Sequence, residues 1–361
     1  MRTYPDALRF SVSAAASVLR GERFLSCLWE LTYRCNARCA ICSYWKTPSK
    51  PADELTHEQI AEGLGRAFEY GTRFVNFTGG EPTLRTDLED IVAAASQKGM
   101  WTSMVTNGSR LTPGRIRSLK DAGLDNLLVS LDSPVPAVHD EHRGIPGLFA
   151  QVVRVLEWLH DDFLTGHRSG GLMCVIARHN LDTIDDIVRL ADSLGVYVLL
   201  QPYHRNKTGD SGLAAALDPD AVRRIQALKD RSAAVLNSRS YLSALTRFYA
   251  GATPPCHAGQ KYFSVDPFGY IHPCVDRPAA GHILRDDISV VRSVGARRSV
   301  EECDGCWYCF RGEADTSLSL RGCLEKARLG IAVMRRNASN RNRLRVATQT
   351  LPAEGPLRFR R

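Results

Sequence analysis

The feature that most constrains this fold is an alternation of short apolar segments with amphipathic segments between residues 24 and 202. The apolar segments predict six strands, at Phe24–Thr32, Phe74–Thr78, Thr102–Thr106, Leu127–Leu131, Leu172–Ala177 and Val196–Gln201. The amphipathic segments predict helices, at Thr56–Tyr70, Asp87–Lys98, Pro113–Ala122, Leu148–His160 and Asp182–Leu194. Alternation of this kind forms a parallel sheet, either doubly wound or an open barrel, so the fold class is α/β.

The chain divides by composition into five segments. Residues 1–23 form an N-terminal segment, 24–202 the βα repeat, and 203–249 a polar linker followed by a helix at about 218–236. Residues 250–325 hold six cysteines with little helical periodicity, which predicts a small domain that depends on a metal. Residues 326–361 are a basic tail that begins as a helix at about 326–336.

Charge and hydropathy limit the cellular location and the kinds of partner that we expect. No stretch approaches the ~20 apolar residues of a membrane span, and the N-terminus lacks a dense apolar core, so a cytoplasmic protein is expected. The tail carries a net charge of +9, whereas the other 325 residues sum to −1. A solvated end is the simplest interpretation of the tail, and an anionic membrane surface is an alternative. Few aromatic residues interleave its arginines, so stable nucleic-acid binding is not expected.

The first cysteine cluster follows the first predicted strand. Cys35, Cys39 and Cys42 form a CxxxCxxC loop, and thiolates are the ligands that iron–sulfur clusters prefer. Three ligands leave one iron of a [4Fe–4S] cube open for a cofactor or substrate. A structural zinc site is the alternative, but such sites normally have four ligands, and no fourth cysteine or histidine lies nearby.

Five motifs in order resemble the radical S-adenosylmethionine (SAM) superfamily. The CxxxCxxC loop with the aromatic Tyr44 is similar to its signature. The others are Gly79-Gly80-Glu81-Pro82 after the second strand, Thr106-Asn107-Gly108 after the third, Ser130-Leu131-Asp132 after the fourth, and His139-Asp140-Glu141-His142-Arg143-Gly144. The resemblance covers about residues 24–202. It implies a partial (β/α)6 TIM-like barrel with a cysteine-rich C-terminal extension.

The resemblance also implies how SAM is held. Gly79 and Gly80 would let the backbone approach the methionyl amino group, with Glu81 as a charge partner. Ser130 and Asp132, taken as i and i+2 on one strand, would bind ribose hydroxyls. Arg143 would pair with the methionyl carboxylate, and Asn180 would contact the adenosine. The predicted cofactor-binding residues are thus Tyr44, Gly79, Gly80, Glu81, Thr106, Asn107, Ser130, Asp132, Arg143 and Asn180.

The second cysteine cluster spans Cys256, Cys274, Cys303, Cys306, Cys309 and Cys323. The spacing Cys256–(12)–Gly269–(4)–Cys274 resembles the opening of SPASM and twitch extensions, which hold auxiliary [4Fe–4S] clusters. The rest departs from the full SPASM pattern, so we predict a divergent or shortened version. At least one auxiliary cluster is expected, held by Cys256, Cys274 and two cysteines of the 303–309 run. The spacing of Cys306, Cys309 and Cys323 also resembles the auxiliary triad of a molybdenum-cofactor cyclase. A structural zinc site is the alternative to an iron–sulfur cluster here.

Several residues carry weaker signals. Cys27 and Cys174 are expected to be buried hydrophobes, although Cys174 would suit a hydrogen-atom donor. His204 and Arg205 follow the sixth strand and would suit substrate binding. Asp276, two residues past Cys274, resembles a general base of sulfatase-maturing enzymes. A solvated loop position is the simpler interpretation of these last three.

The resemblance implies an enzyme that cleaves SAM reductively and takes hydrogen from a substrate. The substrate is expected to be a ribosomally made peptide, and a small carbohydrate, tetrapyrrole or lipid-linked molecule is the alternative. An electron donor such as flavodoxin or ferredoxin is implied. A non-catalytic iron–sulfur scaffold is the competing hypothesis, but a scaffold has no use for Gly79, Glu81 and Asp132.

Overall fold

A computed structural model describes residues 25–215, 219–249, 256–303, 305–317 and 320–340. The predicted N-terminal segment 1–23 and the last part of the basic tail, 341–361, lie outside the described residues. Nine strands are present in the described part: β1 Leu25–Thr32, β2 Thr72–Gly79, β3 Trp101–Thr106, β4 Asn126–Ser130, β5 Ser169–Ile176, β6 Tyr197–Pro202, β7 Tyr262–Val265, β8 Tyr270–His272 and β9 Gly281–His282.

The α-helices of the described residues alternate with the first six strands and then follow them. They are α1 His57–Tyr70, α2 Leu88–Gln97, α3 Pro113–Asp121, α4 Pro136–Arg143, α5 Leu148–Trp158, α6 Ile184–Ser193, α7 Pro219–Arg231, α8 Arg239–Tyr249, α9 Val294–Glu301, α10 Cys309–Ser317 and α11 Leu320–Asn340. A single π-helical turn, Leu159–Phe163, continues α5.

All strands lie in one sheet with the order β6-β5-β4-β3-β2-β1-β7-β8-β9. Strands β1 to β6 are parallel and follow the chain order, which is the arrangement of a partial TIM-like barrel. The expected α/β fold with six βα units is confirmed. Ligand sites of such folds gather at the carboxyl ends of the strands, where the first set of sequence motifs lies.

The cysteine-rich region joins this sheet. Strand β7 pairs in parallel with β1, with Ser26 opposite Tyr262 and Trp29 opposite Val265. Strands β8 and β9 then add antiparallel pairs at the edge. The proposed boundary near residue 250 therefore separates two parts of the chain that share one hydrogen-bonded sheet.

Local sequence explains where the helices begin and end. Thr56 and Gln59 form a reciprocal capping box at the start of α1, and Gly71 ends it at φ 117°. Thr112 accepts a hydrogen bond from the backbone of Arg115, with proline at the first position of α3 as predicted.

Six helices differ from the sequence prediction. Helix α4 and helices α8 to α10 were not predicted. Helices α4, α9 and α10 have only 8 or 9 residues, which is too short for a clear apolar period. Helix α8 does carry apolar residues at helical spacing, Tyr241, Leu245 and Phe248, and this pattern could have predicted it. Helix α7 ends at Arg231 rather than near 236, where residues 234–236 instead run beside β6. Helix α11 extends well beyond the predicted 326–336 at both ends.

The core lies between the sheet and its covering helices. Its largest fully buried side chains include Trp29, Phe77, Phe163, Phe263 and Trp307. Phe263 and Trp307 come from the C-terminal region, so that region contributes to the same core. Within the described part of the chain, no helix combines the length and hydropathy needed to cross a membrane.

Candidate functional site

The CxxxCxxC loop follows β1 and is held by backbone hydrogen bonds. The N–H of Arg38 donates to the carbonyl of Arg143 (3.1 Å), and the N–H of Ala40 donates to that of His142 (3.0 Å). Trp45 Nε1 donates to the carbonyl of Cys39 (3.2 Å). The loop packs against residues at the ends of β5 and β6, including Ala177 and Tyr203. The three thiols therefore lie at the carboxyl end of the sheet, as predicted.

The three thiols differ in exposure. Cys39 is buried, whereas Cys35 and Cys42 are partly exposed. Burial raises the pKa of Cys35 to about 12 and also raises the pKa of Cys39, the latter against the opposing charge of Arg143. Thiols of this kind stay protonated until a metal or cluster takes the sulfur.

Gly79 and Gly80 are required by the approach of this same loop. A Cβ at Gly79, where φ is +117°, would lie 2.3 Å from the carbonyl oxygen of Thr32. A Cβ at Gly80 would lie 2.2 Å from the carbonyl oxygen of Arg34. The N–H of Glu81 donates to that same oxygen (2.9 Å). The two glycines thus let the end of β2 hydrogen-bond the start of the cysteine loop, and their predicted approach to a ligand stays a prediction.

Glu81 is a buried hydrogen-bond acceptor that joins two strand ends. Its Oε1 accepts from the backbone N–H and hydroxyl of Thr83 (3.0 and 2.5 Å) and from the hydroxyl of Thr106 (2.6 Å). Its Oε2 accepts from the N–H of Asn107 (2.7 Å). Asn107 in turn donates to Asn36 Oδ1 in the cysteine loop (2.9 Å). These contacts make Glu81 a support for the site, and its predicted pairing with an amino group stays a prediction.

Asp132 and Arg143 form a buried ion pair against Cys39. Arg143 Nη2 lies 2.5 Å from Asp132 Oδ2, and Nη1 lies 3.8 Å from Cys39 Sγ. Burial alone would lower the pKa of Arg143, but the charge of Asp132, together with the contact to Cys39, raises it above its usual value. The other oxygen of Asp132 accepts from the N–H of Val175 (2.9 Å).

The expectation that Ser130 and Asp132 share one strand is wrong. Strand β4 ends at Ser130, and Asp132 lies beyond it, because its carboxylate turns to Arg143 and to β5. The amide of Asn180 is also used within the chain. It donates to the carbonyls of Asp132 (2.7 Å) and Val175 (2.8 Å), so both its hydrogens are engaged. The predicted contacts of these residues with SAM remain untested.

Three histidines at this edge have buried ring nitrogens that find no hydrogen-bond partner among the described residues: His139 Nε2, His142 Nδ1 and His179 Nε2. His142 and His179 stack at 3.6 Å between ring centroids. His142 neighbours Arg143, and His179 neighbours Asn180. No motif in the sequence assigns a role to His179, although its position beside Asn180 is a usable signal. Orphaned polar atoms at the predicted cofactor edge fit a site whose bound group supplies their partners.

A polar cluster that sequence reasoning missed lies beside Tyr44. The hydroxyls of Tyr44 and Tyr33 donate hydrogen bonds to the two carboxylate oxygens of the buried Glu30. Lys207 Nζ donates to the Tyr44 hydroxyl (3.1 Å) and lies 4.8 and 5.3 Å from the ring centroids of Tyr44 and Tyr308. Because Tyr44 follows Cys42 and Tyr308 lies between Cys306 and Cys309, Lys207 connects the two cysteine regions.

The side chains of the C-terminal cysteines do not all lie in the same part of the structure. Cys256 and Cys274 pack beside Tyr262 and Ala314. Burial raises the pKa of the Cys274 thiol first, and its neighbours Cys306, Asp276 and Cys256 contribute after it. Cys303 is partly exposed, and its N–H donates to Val300, which packs against the same group.

The side chain of Cys309 lies in a different part of the structure, beside Asn237. Its sulfur lies 3.7 Å from Asn237 Nδ2, and its N–H donates to Gln201 Oε1 (2.9 Å). Helix α10 begins at Cys309, which turns this side chain toward the barrel core. The side chain of Cys323 lies outside the described residues, although its backbone is part of α11. Cys27 and Cys174 are fully buried, as expected.

The weaker candidates occupy the surroundings of Lys207. Asn206 Nδ2 lies 3.3 Å from Asp276 Oδ2. The ring of His204 lies 6.0 Å from that of Tyr308, edge to face, whereas Arg205 is exposed. Asp276 and His204 are thus brought to the space between the cysteine regions. Among the residues that the structure describes, no three cysteine, histidine or acidic side chains are arranged to hold a single metal ion.

Comparison with known proteins finds a family model that is similar to the barrel. A family model described as the Radical SAM superfamily matches residues 29–191, which lie within the predicted core 24–202. The matched segment includes the cysteine loop and the ends of β2, β3 and β4. It does not reach the cysteines after residue 250, so the SPASM resemblance stays a prediction.

Three curated relatives have similar sequences. The mycofactocin maturase MftC of Mycobacterium ulcerans is 28% identical over 81% of this chain and 85% of its own length. The AdoMet-dependent heme synthase of Nitratidesulfovibrio vulgaris is 27% identical over 67% and 73%. The PqqA peptide cyclase of Ruegeria pomeroyi is 28% identical over 73% and 70%. The alignments with all three cover more of the chain than the matched family segment does.

A solved structure has the same fold. Streptococcus suis SuiB bound to its precursor peptide SuiA superposes with a TM-score of 0.63, over 81% of this chain and 70% of SuiB. The sequence identity is 15%, so the likeness establishes the fold alone.

Proposed function

We propose that this chain, a member of the Radical SAM superfamily through residues 29–191, modifies a ribosomally made peptide by hydrogen abstraction. When bound, a [4Fe–4S] cluster supplies the electron that cleaves SAM, and SAM supplies the 5′-deoxyadenosyl radical. The observation that carries the proposal is the three-thiol loop, fixed at the carboxyl end of the sheet with Arg143 against Cys39.

The chain's own groups fit these cofactors. Cys35, Cys39 and Cys42 supply soft sulfur ligands on a loop whose backbone is already fixed. The unpartnered ring nitrogens of His139, His142 and His179 are the kind of atoms that a polar nucleoside would satisfy. Glu81 and the Asp132–Arg143 pair hold the surrounding loops in position, so the site needs little rearrangement when it is loaded.

A peptide is the favoured substrate. The curated relatives include a protein named as a peptide cyclase, and the superposable SuiB binds a precursor peptide. The alternative is a small molecule such as a tetrapyrrole, which the relative named as a heme synthase supports. Tryptic mass spectrometry of peptides encoded beside the gene, incubated with the reduced enzyme, separates these alternatives. A mass change only in small-molecule incubations would contradict the peptide proposal.

An auxiliary [4Fe–4S] centre belongs to this proposal. Three of its ligands are Cys256 and Cys274, which pack in one cluster, and Cys306, which acts on the pKa of Cys274. We take Cys303, three residues before Cys306, as the fourth. Cys309, which faces Asn237, is the less suitable of the predicted ligands. The centre would take an electron in a net oxidation or anchor the substrate, and residues 250–325 would form its domain.

The enzyme is distinguished from an inactive iron–sulfur scaffold by SAM turnover. Purified without oxygen and reduced, the protein should release 5′-deoxyadenosine and methionine from SAM. The Cys35→Ala, Cys39→Ala, Cys42→Ala triple variant should lose this turnover. Continued cleavage by the triple variant would show that the cluster has been assigned to the wrong cysteines.

Iron content tests the number of centres. The wild type should hold roughly eight irons per chain and the triple variant about four, because each [4Fe–4S] cluster carries four. About twelve irons would indicate two auxiliary clusters. A wild type with about four irons, all lost in the triple variant, and with zinc in place of the remainder would contradict the auxiliary centre.

The reaction also requires partners outside this chain. A low-potential electron donor such as flavodoxin or ferredoxin would reduce the cluster, and the cytoplasm supplies the reducing setting that free thiols need. The basic tail would at most add contact with an anionic membrane surface. A vesicle-binding assay with and without residues 338–361, over a range of salt, tests that contact.

A further inference from the structure

Arg311 contacts one of the C-terminal cysteines directly. Its side chain is 2% exposed, and Nη1 lies 3.6 Å from Cys306 Sγ. The same nitrogen donates to the carbonyl oxygen of Cys306. A guanidinium is always charged, so this contact brings a fixed positive charge to the sulfur.

The neighbours of Arg311 fix its orientation. The guanidinium lies over the ring of Trp307, 5.3 Å from the centroid, and Nε lies 3.5 Å from Asp315 Oδ2. The carboxylate of Asp315 is itself held by His257 (Nδ1–Oδ1 3.0 Å), and its backbone carbonyl accepts from Lys261 Nζ (3.0 Å). Arg311 therefore holds its position through contacts that do not depend on the sulfur.

A second donor faces another cysteine of the same group. The hydroxyl of Tyr262 lies 3.1 Å from Cys256 Sγ, and the side chain is buried. A tyrosine hydroxyl carries a proton that it can donate to a ligand sulfur. Cys256 and Cys306 thus each have a hydrogen-bond donor from the chain, one neutral and one charged.

We propose that Arg311 is a positioning residue that raises the reduction potential of the auxiliary iron–sulfur centre, with Tyr262 in a weaker supporting role. The inference rests on the proposed function, in which Cys256, Cys274 and Cys306 are cluster ligands. Reduction adds one negative charge to a cluster, and a cation or hydrogen-bond donor at a ligand sulfur stabilises the added charge. Loss of the donor makes the potential more negative.

The test uses the full chain in the Cys35→Ala, Cys39→Ala, Cys42→Ala background, reconstituted with iron and sulfide, so that only the auxiliary centre remains. The midpoint potential is measured by redox titration followed by electron paramagnetic resonance. Arg311→Met should shift the potential to a more negative value, and Arg311→Lys should restore part of the shift. Arg117→Met, which removes an exposed ion pair with Asp162 on the outer helices, is the matched control and should not shift it.

Each result supports or overturns the inference. A full iron content with an unchanged or more positive potential in Arg311→Met would overturn the role of Arg311 alone. A triple-cysteine background without iron would overturn the auxiliary centre, and the inference with it. If Arg311→Met does not retain iron, Arg311→Lys and Tyr262→Phe take its place. Both should then lie below the background potential, and unchanged values in both would overturn the inference.

Discussion

The guanidinium of Arg143 lies 2.5 Å from the carboxylate of Asp132 and 3.8 Å from the sulfur of Cys39. The pair joins the segment after β4 to the cysteine loop after β1, and both side chains are more than nine-tenths buried. A buried pair of this kind gains little over an apolar contact while it is intact, but it is costly to break.

Asp132→Asn should therefore destabilise the protein strongly. The substitution keeps an acceptor for the Val175 N–H but leaves the buried guanidinium without its counter-charge. We expect the free energy of unfolding to fall by about 3–5 kcal/mol, measured by urea denaturation. Asp186→Asn breaks an exposed pair with Arg189 and should cost at most about 1 kcal/mol. Equal losses in the two variants would contradict this account.

Gly80→Ala should displace the cysteine loop. The added Cβ would meet the carbonyl oxygen of Arg34 at 2.2 Å, and a backbone atom cannot rotate away as a side chain can. We expect a stability loss of about 1–3 kcal/mol and reduced iron incorporation. Gly114→Ala, in α3, meets only the Thr112 hydroxyl at 3.9 Å and should be neutral or stabilising by about 0.4–1 kcal/mol. Wild-type iron content in Gly80→Ala would show that the loop tolerates the extra atom.

Glu81→Gln should loosen the junction of β2 and β3. Both carboxylate oxygens accept hydrogen bonds, so an amide nitrogen at either position faces a donor. We expect a loss of about 1–3 kcal/mol in unfolding free energy, together with weaker SAM binding by equilibrium dialysis. Glu62→Gln, on the exposed face of α1, should stay within about 0.5 kcal/mol of the wild type. A Glu81→Gln protein as stable as this control would leave Glu81 without the supporting role.

Because of His139, the free energy of unfolding should fall in mild acid. Burial, and then the charge of Arg143, lower the pKa of His139 to about 4, whereas an unfolded histidine titrates near 6.5. Between these two pKa values, the unfolded chain binds a proton at this histidine and the native state does not. Stability is therefore retained above about pH 6.5 and falls as the pH drops toward 4, by about 3 kcal/mol in all.

Denaturation of the wild type and of His139→Asn from pH 7 to pH 4 measures this effect. The variant should lose less stability over that range, since the titrating group is gone. His57→Asn, which leaves the buried imidazole in place, is the control and should keep the wild-type pH dependence. Parallel curves for the wild type and His139→Asn would mean that His139 titrates alike in both states.

The strands and the cysteine loop could be predicted because each depends on nearby residues. Apolar runs mark β1 to β6, and the CxxxCxxC spacing places three thiols on one loop. The role of Glu81 could not be derived in this way, since its partners Thr106 and Asn107 lie about 25 residues away and are brought close only by strand pairing.

The direction in which each cysteine side chain points could not be predicted from the sequence either. The CxxCxxC run gives no sign that Cys306 faces Arg311 whereas Cys309, at the start of a helix, faces Asn237. Lys207 belongs to no motif, and its place between Tyr44 and Tyr308 depends on three separate loops. Contacts of this kind require the folded chain, because no local pattern encodes them.

The parallel pairing of β7 with β1 has a consequence for how this protein can be cut or recombined. Residues 262–265 cover an edge of β1 whose N–H and carbonyl groups would otherwise be open to other chains. A barrel truncated before β7 should therefore aggregate even though its six strands are complete. A chimera that exchanges the cysteine-rich region for another must bring its own strand for β1, or the barrel will become insoluble before any chemistry can be assayed.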